Sequence, residues 1–289
     1  MRNRRVTVVI PTFNRAHLLN DTIPSYIQDE VLEVIVIDDA STDNTIEVLT
    51  KLSQNNPRIK FLSNQKNIKQ TGSKNIGILQ CKTKYIYFGD DDSFLLSDSI
   101  HKLVNTMEVL DADIVGARAL YMAPGESLID TLQNNNITAL SSIEVFNPLT
   151  FEHNFNMLTN SPILVSTCQA CFLIKTEIAI KYKFCQWFIG PCQREESDYL
   201  IKLSAAGYQI YYESSACQIN LPRNIAYGGA WSNVYKREFC LIYNHCIFTF
   251  RNFFFLKKIG GIYFIFNYLV FIYKNKFKYV YNNLLKNIL

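Results

Sequence analysis

Tyr85-Ile86-Tyr87-Phe88-Gly89-Asp90-Asp91-Asp92 is the stretch on which the reading of this chain turns. A short β-branched and aromatic run ends abruptly in a glycine and three consecutive carboxylates. The same grammar recurs upstream. Val6–Ile10 runs into Pro11-Thr12-Phe13-Asn14-Arg15, and Glu33–Ile37 runs into Asp38-Asp39-Ala40-Ser41-Thr42-Asp43. Between these runs, and beside the further apolar runs Ile59–Leu62 and Ile114–Val115, lie segments with helical spacing. They are centred on Ala16–Tyr26, Thr45–Gln54, Gly72–Gln80 and Ser97–Val109. Strands alternating with helices predict βαβ units, a mostly parallel sheet and right-handed crossovers. Unbroken runs such as Val34-Ile35-Val36-Ile37 suit strands covered on both faces. In such sheets ligands bind beyond the carboxyl ends of the strands, where the polar clusters fall.

The rest of the chain is less regular. Leu120–Pro162 is read as a variable excursion over the sheet. Val165–Ile174 is expected to be one strand, Arg194–Ala206 a helix stopped by Gly207, and Gln209–Tyr212 and Ala216–Ile219 two further strands. No GxGxxG and no GxxxxGK[ST] occurs, so the usual phosphate-cradling loops of dinucleotide and P-loop proteins are missing. Cys168-Gln169-Ala170-Cys171 is a CxxC without a second pair or a nearby histidine, and the eight cysteines read as reduced thiols.

Three adjacent aspartates repel one another unless a cation neutralises them. Oxygen-only ligands suit Mg2+ or Mn2+, which take one or two carboxylates together with substrate phosphates. The competing reading is a solvated acidic turn in which Asp92 or Ser93 caps a helix.

Composition sharpens this. The 289 residues are 48% hydrophobic and 19% charged, enough for a substantial core, and their formal net charge is +4. All 25 acids lie at or before Glu238, whereas seven basic residues lie between Arg251 and Leu289. The body thus holds 22 basic residues against 25 acids, a net of −3, and the tail holds +7. This is a mildly acidic globule with a basic end, which excludes a uniformly basic nucleic-acid binder. Only Val6–Ile10 separates the basic N-terminus from Pro11, too short for a signal-peptide core, so a cytosolic start is expected.

Four segments in order resemble the family 2 glycosyltransferases. They are Val9-Ile10-Pro11-Thr12-Phe13-Asn14-Arg15, Val36-Ile37-Asp38-Asp39-Ala40-Ser41-Thr42-Asp43, Lys74-Asn75-Ile76-Gly77 and Phe88-Gly89-Asp90-Asp91-Asp92. The match is strong over about residues 5–118 and looser over about 165–225. The resemblance implies a GT-A fold, an α/β domain with a mostly parallel central sheet flanked by helices. It further implies inverting transfer from a nucleotide-sugar, usually a UDP-sugar, with Mn2+ or Mg2+.

By position, Pro11, Thr12 and Asn14 would line the nucleotide pocket, Asp39 would accept from the base, and Lys74 would stand near the donor. Asp90-Asp91-Asp92 resembles the DXD motif, with Asp90 towards the ribose and the metal's water shell, Asp91 in the variable middle place and Asp92 as metal ligand. Arg194-Glu195-Glu196-Ser197-Asp198 resembles the family's acidic pair, which makes Glu196 the expected base and Asp198 its runner-up. Glu replaces the more usual Asp there. Where relatives often place a metal-binding histidine, Gln218-Ile219-Asn220-Leu221-Pro222 offers Asn220 instead.

The expected organisation is a catalytic domain over 1–230, with a nucleotide-sugar half (1–118) and an acceptor and base half (119–230), and a helical aromatic and basic extension over 231–289. Ile259–Tyr273 is apolar but only about 15 residues long, against the ~20 needed to span a bilayer. Flanking lysines favour an anionic membrane interface, with a core cover or a self-association surface as the alternative. The partners expected are therefore a nucleotide-sugar, a glycan or lipid-linked acceptor and the inner face of the cell membrane. A non-catalytic nucleotide-sugar-binding subunit and a sugar nucleotidyltransferase remain open alternatives.

Overall fold

The computed structural model describes residues 4–147, 152–229, 234–258 and 270. Its first half alternates as the periodicity predicts: β1 (Val6–Thr12), α1 (Ala16–Thr22) with a 3-10 turn over Ile23–Tyr26, β2 (Val31–Asp38), α2 (Thr45–Asn55), β3 (Ile59–Ser63), α3 (Lys69–Gln80) and β4 (Tyr85–Phe88). These strands pair in parallel in the order β3-β2-β1-β4, with Thr12 opposite Asp38 and Val9 opposite Phe88. That register brings the loops after β1, β2 and β4 to one edge.

Alternation along each strand divides the core. Val8, Ile10, Val34, Val36, Tyr85 and Tyr87 face one cluster with Leu19, Leu49 and Leu103. Val9, Ile35, Ile37, Ile86 and Phe88 face the other with Ile78, Ile178 and Leu200. Both faces are covered, which is why these strands read as continuous apolar runs. Gly77 sits so close to Val9 that an added Cβ would overlap the Val9 side chain, so the glycine sets the approach of α3 to β1.

The second half continues with β5 (Ser93–Leu95), α4 (Ser99–Val109), β6 (Ile114–Tyr121), α5 (Leu128–Asn134), α6 (Ser142–Val145), β7 (Phe146–Asn147), β8 (Glu152–His153), β9 (Ile163–Val165), β10 (Phe172–Lys175), α7 (Thr176–Lys181), α8 (Glu195–Ala205), β11 (Ile210–Asn220) and α9 (Val234–Arg251). Here the sheet becomes mixed. β10 lies antiparallel between β4 and β6, β6 and β11 run parallel, and β5 and β9 both pair antiparallel with β11.

Two expectations are corrected. Val165–Ile174 is two strands, not one, because Gln169 bonds both the N–H and the C=O of Cys171 and folds 166–171 out of any ladder. Gln209–Tyr212 and Ala216–Ile219 are one strand carrying an irregularity between Glu213 and Cys217. Its polar groups are satisfied from outside the ladder: Thr106 donates to Glu213 Oε2 at 2.8 Å, and Ser214 Oγ accepts from the Thr159 N–H at 2.9 Å. The excursion after Leu120 holds short elements of its own, including α5 with a Ser127/Asp130 capping box.

The chain beyond 230 is not separate from the domain where it is described. Phe248 and Leu256 enter the core beside Leu200 and Phe188, and Cys240 lies against Gly190. Ile259–Tyr273, on which the membrane expectation mainly rested, lies outside the described residues except for position 270. Among the described residues no helix is long and apolar enough to cross a membrane.

Candidate active site

The loops following β1, β2 and β4 enclose a pocket of about 230 Å³, with α3 and the start of α8 as its opposite wall. Its lining includes Pro11, Thr12, Asp39, all three aspartates of Asp90–Asp92 and Glu196.

Asn14 does not line this pocket; it builds it. At a positive φ of 52°, it accepts from the Thr42 N–H at 2.7 Å while its own N–H donates to Ser41 Oγ at 2.8 Å, lacing the first loop to the second. Asp39 is buried. Its carboxylate accepts from the backbone N–H groups of Ile68 and Lys69, both at 2.8 Å, and from Asn64 Nδ2 at 2.9 Å. It therefore anchors the start of α3 as well as facing the pocket.

The backbone of the acidic turn is held by Tyr26, whose hydroxyl donates to the Asp90 carbonyl at 2.9 Å and pairs with Ser93 Oγ at 2.7 Å. Asp90 accepts from Cys171 Sγ at 3.2 Å. Burial and the nearby Asp92, opposed by Lys74, push its carboxyl up to about 7. Asp91 accepts from Thr12 Oγ1 at 2.7 Å and from Arg15 Nη1 at 2.6 Å, and the same Nη1 reaches Asp92 Oδ2 at 2.7 Å. Burial raises the Asp92 carboxyl, against the pull of Arg15. Burial works against the Arg15 charge, but Asp91 and Asp92 outweigh it and hold the guanidinium firmly protonated.

Across the pocket stands a second charged group. Lys74 is fully buried in α3, and its Nζ lies 2.9 Å from Glu195 Oε1 and 2.8 Å from Glu196 Oε1. Gln70 Nε2 donates to the same two oxygens at 2.8 and 2.7 Å. Burial and the neighbouring Glu196 push Glu195 well above the ordinary glutamate range. For Glu196 burial acts in the same direction, but Lys74 overcomes it and holds the carboxylate below that range. The two neighbouring carboxyls are thus pushed in opposite directions, Glu195 up and Glu196 down.

Glu196 also lines a second cavity of about 510 Å³ on its far side. That cavity is walled by amides (Asn135, Asn156, Gln169, Gln193) together with Tyr121, His153 and Arg194. His153, although exposed at its rim, has its imidazole lowered from the usual value by the partial desolvation of its ring.

Two expected residues stand apart from the pocket. Asp198 is buried against α9, accepting from Arg251 Nε at 2.9 Å and Asn252 Nδ2 at 2.8 Å. Asn220 accepts from Gln218 Nε2 at 3.1 Å and donates to the Leu120 carbonyl at 3.0 Å. Lys74 lies behind the pocket wall, in contact with Glu196. Two further residues enter the site unannounced. Arg15 was the lone cation among the strand-end clusters, so charge balance could have singled it out. Gln70 carried no such signal.

Asp90 and Asp92 offer hard oxygen ligands on one wall, a donor set suited to Mg2+ or Mn2+. Among the described residues no group of three or more His, Cys, Asp or Glu could hold a metal ion by itself. An ion there would take its remaining ligands from substrate phosphates and water.

A sheet of this order, with an acidic turn facing an acid pair across a pocket, defines a GT-A domain. The chain belongs to glycosyl transferase family 2, whose model matches residues 7–178. It is 40% identical over 104 residues to the GalNAc(5)-diNAcBac-PP-undecaprenol beta-1,3-glucosyltransferase of Campylobacter jejuni, a match covering 35% of this chain and 33% of that protein. It is 26% identical over 168 residues to the poly(ribitol-phosphate) beta-N-acetylglucosaminyltransferase TarP of Staphylococcus aureus, covering 52% of this chain and 51% of TarP. The chain thus spans from about a third to half the length of these relatives. Among solved structures, the fold is similar to S. aureus TarS in complex with UDP, with TM-score 0.56, 14% identity, and 84% of this chain and 64% of that one covered. It is also similar to the mannosyltransferase PcManGT of Pyrobaculum calidifontis in complex with GDP-Man and Mn2+, with TM-score 0.58, 18% identity, and 85% and 64% covered.

Proposed function

We propose that this chain transfers a sugar, with inversion, from a nucleotide-sugar, by preference a UDP-sugar, to a glycan or lipid-linked acceptor in surface polysaccharide assembly. The observation that carries this reading is the position of Glu196, which borders both the acidic donor pocket and the amide-lined cavity. A carboxylate at that junction can take the proton of an acceptor hydroxyl while the donor's anomeric carbon faces it from the other side. Lys74 and Gln70 hold Glu196 in place, and Lys74 favours its ionised form. On the donor side, Pro11, Thr12 and Asp39 would flank the nucleoside, and Asp90, Asp91 and Asp92 the diphosphate end. Mn2+ or Mg2+, held by Asp92 with Asp90 nearby, would supply positive charge to the departing nucleoside diphosphate. The UDP, GDP-Man and Mn2+ named with the neighbouring structures, and the undecaprenol-linked acceptor named for the C. jejuni relative, support these assignments.

UDP with Mn2+ is expected to raise the melting temperature of the wild-type chain. Asp92→Asn is expected to abolish that shift while leaving the unliganded melting temperature near its original value. No shift with UDP, GDP or any of their sugars would refute the donor reading.

A peripheral position on an anionic, inner membrane face completes the proposal. Phe250, near the end of α9, and Phe254, just beyond it, are 75% and 85% exposed, and Lys257 and Lys258 follow in the chain. Sedimentation with vesicles should show binding to anionic lipid, weakened by Phe250→Ser/Phe254→Ser; equal binding by that variant would sink the assignment.

A further inference from the structure

We propose that Arg15 is the resident counter-cation of the acidic turn and that it competes with a divalent cation for Asp92. The inference rests on the donor-pocket reading for its biological meaning, but its test does not need a nucleotide.

A single guanidinium nitrogen, Arg15 Nη1, lies 2.6 Å from Asp91 Oδ1 and 2.7 Å from Asp92 Oδ2. Thr12 Oγ1 donates to Asp91 Oδ2, so Asp91 is held on both oxygens by the protein itself. Two adjacent carboxylates repel one another, and here the chain supplies a neutralising charge without a metal. A divalent ion seeking the same oxygen of Asp92 meets an occupied lone pair and a like charge. Metal binding and the Arg15 bridge are therefore alternatives at this turn.

The arrangement is also incomplete in a way that favours exchange. Arg15 is 8% exposed, yet its Nε is buried with no hydrogen-bond partner. Beside it lies Gly229, at φ 61°, where an added Cβ would stand 3.1 Å from Nε and 3.6 Å from Cζ. Gly228, at φ 84°, lies against the Asn14 carbonyl. The two glycines thus let the 228–229 backbone pack directly against the Arg15 loop, where a side chain would crowd the guanidinium. Once displaced, Arg15 presents a planar fork suited to phosphate oxygens, on the side of the pocket where a diphosphate would lie.

The test is a titration of the full chain with Mn2+ alone, followed by calorimetry and by the electron paramagnetic resonance of free Mn2+. Arg15→Gln is expected to bind Mn2+ about tenfold more tightly than wild type and to gain more thermal stability from it. Arg15→Lys keeps the charge without the fork, is expected to fall between, and decides the matter if the Gln variant does not fold. Adding Asp92→Asn to Arg15→Gln should erase the gain. Equal Mn2+ affinity in wild type and the variants, or a gain that survives Asp92→Asn, overturns the proposal. A parallel titration with UDP separates the two readings. Failure of every form to bind UDP would remove the donor assignment and leave the Mn2+ result to judge Arg15.

Discussion

Glu196→Gln is expected to lower transfer by about 10²- to 10⁴-fold, the usual contribution of a positioned general base, with donor affinity nearly unchanged. The amide oxygen of Gln can still accept from Lys74 and Gln70, which both donate to Glu196 Oε1 at 2.7–2.8 Å, so the pocket keeps its shape. What it loses is a site for the acceptor's proton. The pH profile adds a second readout. Because Lys74 outweighs burial and holds Glu196 below the ordinary carboxylate range, wild-type activity should stay flat through neutral pH and fall only under acid conditions. The Gln variant should show residual activity without that acid limb. A variant with full turnover, or one that loses UDP-dependent thermal stabilisation together with turnover, would remove Glu196 from the role of base.

Lys74→Met is expected to have the largest effect on stability, about 3–5 kcal/mol, the cost of stranding a buried charge partner. In a chain this long that corresponds to a fall in melting temperature on the order of 10 °C. The physical cause is plain: Lys74 has no exposed surface, and its ammonium is shared by Glu195 and Glu196. The sign of the pH dependence follows. Those carboxylates hold the Lys74 pKa above its ordinary 10.5 although burial opposes them, so its stabilising effect is complete below 10.5 and constant through neutral pH. Without it, Glu196 loses the largest influence that opposes burial, leaving only hydrogen bonds on that side, and Glu195, already raised, loses its charge partner. Stability of the variant should then decline as pH rises from about 4.5, more steeply than in wild type. Thermal melts across pH check this, and adding Glu195→Gln should recover part of the loss. Parallel pH profiles for wild type and Lys74→Met would mean that the ion pair is not what holds α3 to α8.

Much of this was readable in advance where one cause dominates. β1 and β2 are apolar on both faces because helices cover both, and their ends are polar because the register aligns those ends at one edge. β11 was split because Glu213-Ser214-Ser215 interrupts its apolar run, and only the partners supplied by Thr106 and Thr159 let the strand continue through it. The 166–171 loop was missed because Gln169 competes with the ladder through its own side chain, a choice that apolar patterning does not report.

In the site, the acidic turn and the acid pair were legible as clusters. Their partners were not, since Arg15 lies 76 residues from Asp91 and Lys74 lies 121 from Glu195. Beyond 230 the aromatic and basic composition fits a core cover and an interfacial helix equally well. Which aromatic points inward, as Phe248 does, and which outward, as Phe250 does, follows only from docking.

That docking makes the C-terminal portion a poor candidate for a cleavable or exchangeable module. Arg251 and Asn252 both bond the Asp198 carboxylate, which sits in the first turn of the helix that carries Glu196. A shortened chain ending before Arg251 would strip Asp198 of both its Arg251 and Asn252 partners and remove Leu256 from the core. Displacing this docked portion would thus disturb the helix that carries Glu196, and a fragment for biochemical work has to keep the chain at least through Leu256.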